Sequence, residues 1–447
     1  MIDWTDFYIK TLRQTAMDIN KIDDYLKKTA SYKIIASEFY LMGYEEQAQI
    51  YFDKAIENAR NIEDVYYQNW AIGDIIEEMA NIGYIVRVKQ YLKLLEIPLI
   101  KVNAYRNIAD ALILQGALYD AKEFLNLAMK MIEDIDSAYE KCNALKGIAI
   151  EYLRIPRSKK KVNTIIKQIE KLLDEIKVVS YQIITLTNLA EMYSKIKLNQ
   201  KVRKVINNSK KLIEQISDGY EKIAALRRIA VTLSQIGMAE EAISTLREAI
   251  KRVDEISDEK RKMLAFRTIA IELGKLGKFK QAIEIAMKIE NDLKRDYTMR
   301  EIMKSIIEKA EIELATYLLD GIQDNRIRAE CQKDIALTLI KYGKLKAAEM
   351  IADGISDEDL KILAYGCLMC ERIKRGLEEL DVSEIVSLKE RLLEIEPQEK
   401  KNKIVEQFAR YLIEIQMYIE AVDLISRIED PLRRLWILRD IREEILK

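Results

Sequence analysis

The chain has 447 residues, 49% apolar and 33% charged, with 73 Lys plus Arg against 74 Asp plus Glu. Only 14 glycines and 4 prolines are present, too few turn formers for an all-β fold, while the apolar content excludes a disordered chain. Histidine is absent, which removes the commonest general base and metal ligand, and with them every zinc motif that needs histidine and Ser-His-Asp triads.

The first stretch, WTDFYIKTLRQTAMDI, places Trp4, Phe7, Ile9, Leu12 and Met17 on a helix able to cover whatever follows it, so residues 1–23 read as an N-terminal cap. It is not a secretory signal, since no basic segment leads into an apolar core with a small-residue cleavage site. Nor does any apolar run reach membrane-spanning length, and a cytoplasmic protein with no membrane partner is expected.

From residue 24 to 429 the chain repeats. Anchor positions recur at Ala36, Ile76, Ala109, Ala149, Ala190, Ala230, Ala270, Met303, Ala336, Met369 and Ala409, each preceded by a large apolar residue. Seven residues after the anchor lies glycine at Gly43, Gly83, Gly116, Gly237, Gly277, Gly343 and Gly376. Twelve after it lies alanine at Ala48, Ala121, Ala242, Ala282, Ala315, Ala348 and Ala421. Twelve before it stand helix N-cap types: Asp24, Asp64, Ser137, Asp218, Asp258, Asn291, Asp324 and Asp357.

These offsets have a physical reading. Small anchors let two helices approach, the glycine ends the first helix (helix A) with a left-handed cap, and the alanine packs the second (helix B) back against it. Anchors are separated by either 33 or about 40 residues. The N-cap keeps its distance from the anchor, so the extra seven residues must lengthen helix B or its exit, about two turns that keep the apolar stripe on one face. The last stretch, DPLRRLWILRDIREEILK at 430–447, is in register for another helix A and is more apolar than one buried stripe requires. It reads as a C-terminal cap, with self-association as the alternative.

The pattern of small residue, glycine and alanine resembles the tetratricopeptide repeat, and the resemblance covers nearly the whole chain; HEAT-type arrays are the other candidates. It implies an all-α, right-handed superhelical solenoid of stacked antiparallel hairpins. It also implies a non-catalytic scaffold that holds a peptide segment of a partner in the concave groove built by helix A. Repeats four and five depart from the pattern, with Pro156 and Lys197 in place of glycine and Lys161 and Val202 in place of alanine, so distortion is expected there.

In such repeats the position three before the anchor faces the groove, and here it is basic at Lys33, Arg106, Lys146, Arg227, Arg267, Arg300 and Lys333. With Trp70, a groove position six before its anchor, the candidate partner-binding set is Arg106, Lys146, Arg227, Arg267, Arg300, Lys333 and Trp70. A cation ladder favours an acidic segment, which arginine can grip bidentately. The alternative is that each cation pairs with a carboxylate on a neighbouring helix. Arg106, Asn107, Asn143 and Lys146 partly resemble the family's carboxylate clamp, but Asp110 and Ile150 do not match it.

A second basic feature lies between 150 and 215, where 15 Lys plus Arg face 6 Asp plus Glu. The patch, with Arg157, Lys159, Lys160, Lys161, Lys201, Arg203 and Lys204, could bind nucleic acid through phosphate contacts, or be a solvated face. No aromatics are interleaved for base stacking. Cys367 and Cys370 read as packing, since one cysteine pair without histidine is no zinc site, and Cys142 and Cys331 are too scattered for a disulfide framework. GKLGK at 274–278 lacks the spacing of a phosphate loop. No cofactor, metal or catalytic group is implied.

Overall fold

The computed structural model describes residues 4–445 apart from 86 and 378–380, and every described element is helical. Two compact units divide the chain, one made of residues 43–288 and the other of residues 1–42 with 289–447.

The other unit begins with α1 (Trp4–Ile19) and the helix A of repeat one, α2 (Tyr25–Leu41). The 43–288 unit starts at α3 (Glu45–Arg60) and continues through α4 (Val65–Asn81), α5 (Val88–Tyr91), α6 (Pro98–Leu114), α7 (Leu118–Lys130), α8 (Ala138–Arg154) and α9 (Lys159–Leu172). It ends with α10 (Val179–Lys195), α11 (Asn199–Ile213), α12 (Gly219–Gln235), α13 (Ala239–Lys251), α14 (Glu259–Lys275) and α15 (Phe279–Ala286). After residue 289 come α16 (Asp292–Glu308), α17 (Ile312–Leu318), α18 (Asn325–Lys341), α19 (Leu345–Asp353), α20 (Glu358–Lys374) and α21 (Val382–Leu393). The chain closes with α22 (Gln398–Glu414), α23 (Tyr418–Ser426) and α24 (Pro431–Ile445).

Every even-numbered helix from α2 to α22 is a helix A, and each has 17 residues. Their common start is set by local chemistry. All eight predicted caps, from Asp24 to Asp357, accept a hydrogen bond from the backbone amide three residues on. Where no such side chain stands, Pro98 fills the first turn of α6, a position that needs no amide donor.

Their common end is a left-handed residue. All seven predicted glycines have positive φ, as do Lys197, Ala310 and Gln416 at the same offset from their anchors. Repeat four differs by one residue. Pro156 cannot adopt positive φ, and the left-handed conformation passes to Arg157. Helix B therefore starts one residue late, at Lys159. Val162 is buried where other repeats bury alanine, and Lys161 turns outward. The expected distortion of repeats four and five is corrected: four is a regular hairpin with one inserted residue, and five keeps its register with Lys197 left-handed and Val202 buried.

Repeat length resides in helix B, as the constant cap offset requires. Between anchors 40 or 41 apart these helices have 12 to 16 residues, but α15, α17 and α19 have 8, 7 and 9 and α5 has only 4. Successive A helices stack side by side within each unit, with the B helices along one flank.

The two terminal segments are not separate caps. α24 packs on α22 as the next helix A, and α1 packs on α24 and on α23 as the helix B of that same repeat. The helix A of repeat one, α2, then stacks on α24. One hairpin is thus assembled from the two ends of the chain. Glu38, at 0% exposure, accepts hydrogen bonds from Tyr8 Oη (2.6 Å), Arg439 Nε (3.1 Å) and Arg442 Nε (2.6 Å). Arg434 adds a bond to Asp18 at 2.8 Å. Of the apolar surplus that suggested self-association, Leu435, Ile437, Leu438 and Ile441 are buried here inside the chain, Leu432 is half-buried and Trp436 stays 48% exposed.

Candidate binding surfaces

On the helix A side of repeats two and three, a depression of about 340 Å³ lies between α4 and α6. Gly73 opens it: a Cβ there would stand 3.3 Å from Ile100 Cγ2 of the facing helix. Trp70, 53% exposed, and Tyr66 one turn earlier form one wall, and Arg106 with Asn103 and Asn107 forms the other. Arg106 donates to Asn107 Oδ1 through Nη2 (2.6 Å) and Nε (3.2 Å), and the Asn107 amide donates to Glu77. A Cβ on Gly147 would be 2.8 Å from Arg106 Nη1, so the guanidinium occupies space that glycine leaves open and would have to shift for a larger residue. Arg106 has no ion pair among the described residues. The sequence reading identified Trp70 and Arg106. It missed Tyr66, whose four-residue spacing from Trp70 on one helix was the available signal.

The rest of the ladder is differently placed. Lys146 reaches the next helix A, where it pairs with Glu191 at 2.6 Å and donates to Asn188 Oδ1 at 2.8 Å. Asn188 in turn donates to Asn143, so Lys146 and Asn143 of the partial clamp are linked through Asn188. Arg227 lies 3.7 Å from Glu272, which Lys275 also reaches at 3.2 Å. In this unit's ladder Arg267 is exposed and, like the half-buried Arg106, has no ion pair among the described residues. In the other unit, Arg300 sits 3.1 Å from Glu330 and 3.6 Å from Asp334. Lys333, 6% exposed, shares the same carboxylates at 3.3 and 2.9 Å. Lys146, Arg227 and Arg300 bridge stacked helices, Lys333 pairs along its own helix, and the charge of all four is offset where it stands.

The basic patch is built by the outer faces of α9 and α11, helix B of repeats four and five. Each helix buries one apolar stripe, Val162, Ile165, Ile166 and Ile169 in α9, and Val202, Val205, Ile206 and Ile213 in α11. Arg157, Lys159, Lys160, Lys161, Lys201, Arg203 and Lys204 are all exposed. Lys201 lies 3.7 Å from Glu170 and 4.9 Å over the Tyr193 ring, and Lys161 lies 6.0 Å from the Tyr152 ring. Arg157, Lys159, Lys160, Arg203 and Lys204 have no ion pair among the described residues. Three lysines crowd the first turn of α9, where the helix dipole disfavours positive charge and Ser158 makes no capping bond. Nearby Arg154 is consumed by Asp110 and by Glu151 at 2.7 Å. Burial, helped by Asp110, raises the Glu151 carboxyl above its ordinary value despite that arginine.

Burial pushes the Cys370 thiol up to about 12 and also raises Cys367 well above its ordinary value, so both are buried thiols in the packing of α20. Among the described residues no group of three or more Cys, Asp or Glu could hold a metal ion, and no helix is long and apolar enough to cross a membrane.

No protein-family model matches the sequence, and no curated protein matches it. Solved structures with some likeness include Ton1535 from Thermococcus onnurineus NA1, at 15% identity and TM-score 0.28 over 74% of this chain and 96% of that one. A Rap protein complexed with Competence and Sporulation Factor has 11% identity and TM-score 0.23, over 97% and 99%. A human IFIT1 dimer with PPP-AAAA has 15% identity and TM-score 0.24, over 96% and 95%. Values this low carry no functional weight. On its own repeat geometry, the chain is an array of tetratricopeptide-like helical hairpins.

Proposed function

We propose that the protein is a non-catalytic scaffold that holds an extended, acidic segment of a partner protein on the helix A side, centred on repeats two and three. The observation that supports this most is the meeting of exposed Trp70 and Tyr66 with Arg106, whose guanidinium is held by a neutral amide and not by a carboxylate. Aromatic side chains bury large areas at little entropic cost, and an arginine without an ion pair can take a partner carboxylate bidentately. Lys146, Arg227, Arg300 and Lys333 contribute less directly, because a ligand would have to displace carboxylates already 2.6 to 3.7 Å away. Arg267 is the further contact on the same unit.

Selection of displayed peptides on the intact chain tests the reading. It expects enrichment of Asp and Glu beside an apolar residue, with about 30-fold weaker binding by Trp70→Ala or Arg106→Glu, the loss of a typical hot spot. Selected peptides that bind the Trp70→Ala/Arg106→Glu double variant as tightly as the wild type would refute it.

A second reading, nucleic-acid binding by α9 and α11, is favoured by the five cations there that lack ion pairs. Anisotropy with a single-stranded RNA should then show steep salt dependence, and each Lys→Glu change at 159–161 should reduce the log–log salt slope by about one. No binding at low salt would dismiss it.

A further inference from the structure

Beyond these two surfaces, repeat two leaves a gap on the opposite flank. Its helix B is cut to α5 and a 3-10 turn at Leu92–Leu94, while the neighbouring α7 runs 13 residues. The mismatch uncovers the side of α7 and opens a trough of about 590 Å³ with α6 as its floor. Leu92, Leu112 and Phe124 line it from below, and Leu127 is left 41% exposed at its edge.

Three lysines and two carboxylates line the trough, the third lysine being the exposed Lys89 on α5, which also has no ion pair among the described residues. Lys93 and Lys101 lie at the end where α6 begins, and neither has an ion pair among the described residues. Tyr105 stands one turn further along, its ring tilted against Phe124 at 6.1 Å. The Tyr105 hydroxyl has no hydrogen-bond partner among the described residues. Because α7 runs antiparallel to α6, its carboxylates Asp120 and Glu123 lie toward the Leu112 end.

We propose that this trough binds a long-chain aliphatic monocarboxylate, with its head group at Lys93, Lys101 and the Tyr105 hydroxyl and its chain over Leu92, Phe124 and Leu112. Size selects an alkyl chain over a helix. From Lys101 to Leu112 the floor is about 16 Å long, so the trough averages roughly 35 Å² in cross-section, less than half that of a helix about 10 Å across. Polarity selects it over an extended peptide, whose backbone N–H and C=O groups would be left unpaired against leucine and phenylalanine. An alkyl chain brings no such groups, and each buried methylene strengthens binding roughly fourfold. Two lysines and a phenol supply charge-assisted hydrogen bonds to a carboxylate at one end.

Calorimetry on the full chain, below micellar concentrations, would compare dodecanoate with dodecyltrimethylammonium and hexanoate. Dodecanoate should saturate a single site, with each of the other two at least tenfold weaker. Lys93→Glu/Lys101→Glu should weaken dodecanoate at least tenfold. Tyr105→Phe, which removes one oxygen and leaves the packing, should weaken it about threefold with unchanged helix content. The proposal is overturned if dodecanoate shows no saturable binding, if the ammonium with the same tail binds equally, or if Tyr105→Phe and the double lysine variant both bind as the wild type does.

Discussion

Replacing Glu38 with alanine tests whether one hairpin is held together by residues some 400 positions apart. The carboxylate is fully buried and receives Tyr8, Arg439 and Arg442, and Arg442 is itself only 7% exposed. Removing one member of a buried ion pair leaves the other charge without compensation, at a cost of about 3–5 kcal/mol. Most of that penalty should fall on Arg442, since Arg439 also donates to Ser37 at 2.9 Å and has a route to solvent. Repeat arrays do not unfold as one cooperative block, so a global melting curve is the wrong instrument. Native-state hydrogen exchange reads each helix separately. Glu38→Ala should lower the opening free energy of α1 and α24 by about 3 kcal/mol or more, up to the limit of their native stability, with α8 and α10 unchanged. Glu38→Leu combined with Arg442→Leu should cost less than Glu38→Ala alone, because an apolar pair leaves no buried charge. Exchange in α1 and α24 that stays within 1 kcal/mol of the wild type would refute the reasoning.

Alkaline pH should act on the same cluster. Burial first, and Glu38 second, raise the Tyr8 hydroxyl well above its ordinary value. A folded-state value above the unfolded one means the contribution is complete below about pH 10 and is lost as pH rises through the folded value. Protection of α1 should therefore fall above pH 10 in the wild type and fall less steeply in Tyr8→Phe. On α9, Lys159→Glu/Lys160→Glu should stabilise the helix by about 0.5–1 kcal/mol through its dipole while abolishing any nucleic-acid binding; a destabilised α9 in exchange would count against that account. At the hairpin turns, Gly237→Ala should cost about 1 kcal/mol from backbone alone, because nothing lies within 4 Å of the added Cβ. Lys197→Gly should gain a similar amount, read as shifts in thermal midpoint.

What was legible in the sequence follows from distance along the chain. The caps at Asp24 to Asp357 were readable because a side chain and the amide it serves are three residues apart, a relation fixed by helix geometry. The ladder was only half readable. Its cations form one column, but Glu191, Glu272, Glu330 and Asp334, which neutralise four of them, stand in other columns, and for Lys146, Arg227 and Arg300 they belong to the next repeat. Offsets between repeats reveal such pairs only once the stacking is known. The pairing of α24 with α1 leaves no local trace at all, since either helix alone reads as an amphipathic end. Glu38 was also unremarked, though a carboxylate two residues past its anchor on a mostly buried helix was a sign that a buried cation must arrive from elsewhere.

Repeat four offers the strictest test of how far the repeat offsets govern this fold. With Pro156 regarded as an insertion, Ile155 falls where Ile82, Ile196 and Ile236 end their helices, Arg157 where those repeats turn left-handed, and Val162 on the buried alanine position. Deleting Pro156 and changing Arg157 to glycine should therefore give a hairpin of the ordinary kind. The gain expected is about 1 kcal/mol, from relieving a non-glycine residue of positive φ. Lys159 to Lys161 would keep their outward direction, because the buried stripe of α9 moves with them. Thermal midpoint and exchange in α8 and α9 would report the result. A loss of more than 1 kcal/mol would mean that the added residue is built into the packing of the repeat. It would also mean that the offsets describe repeat four only in outline.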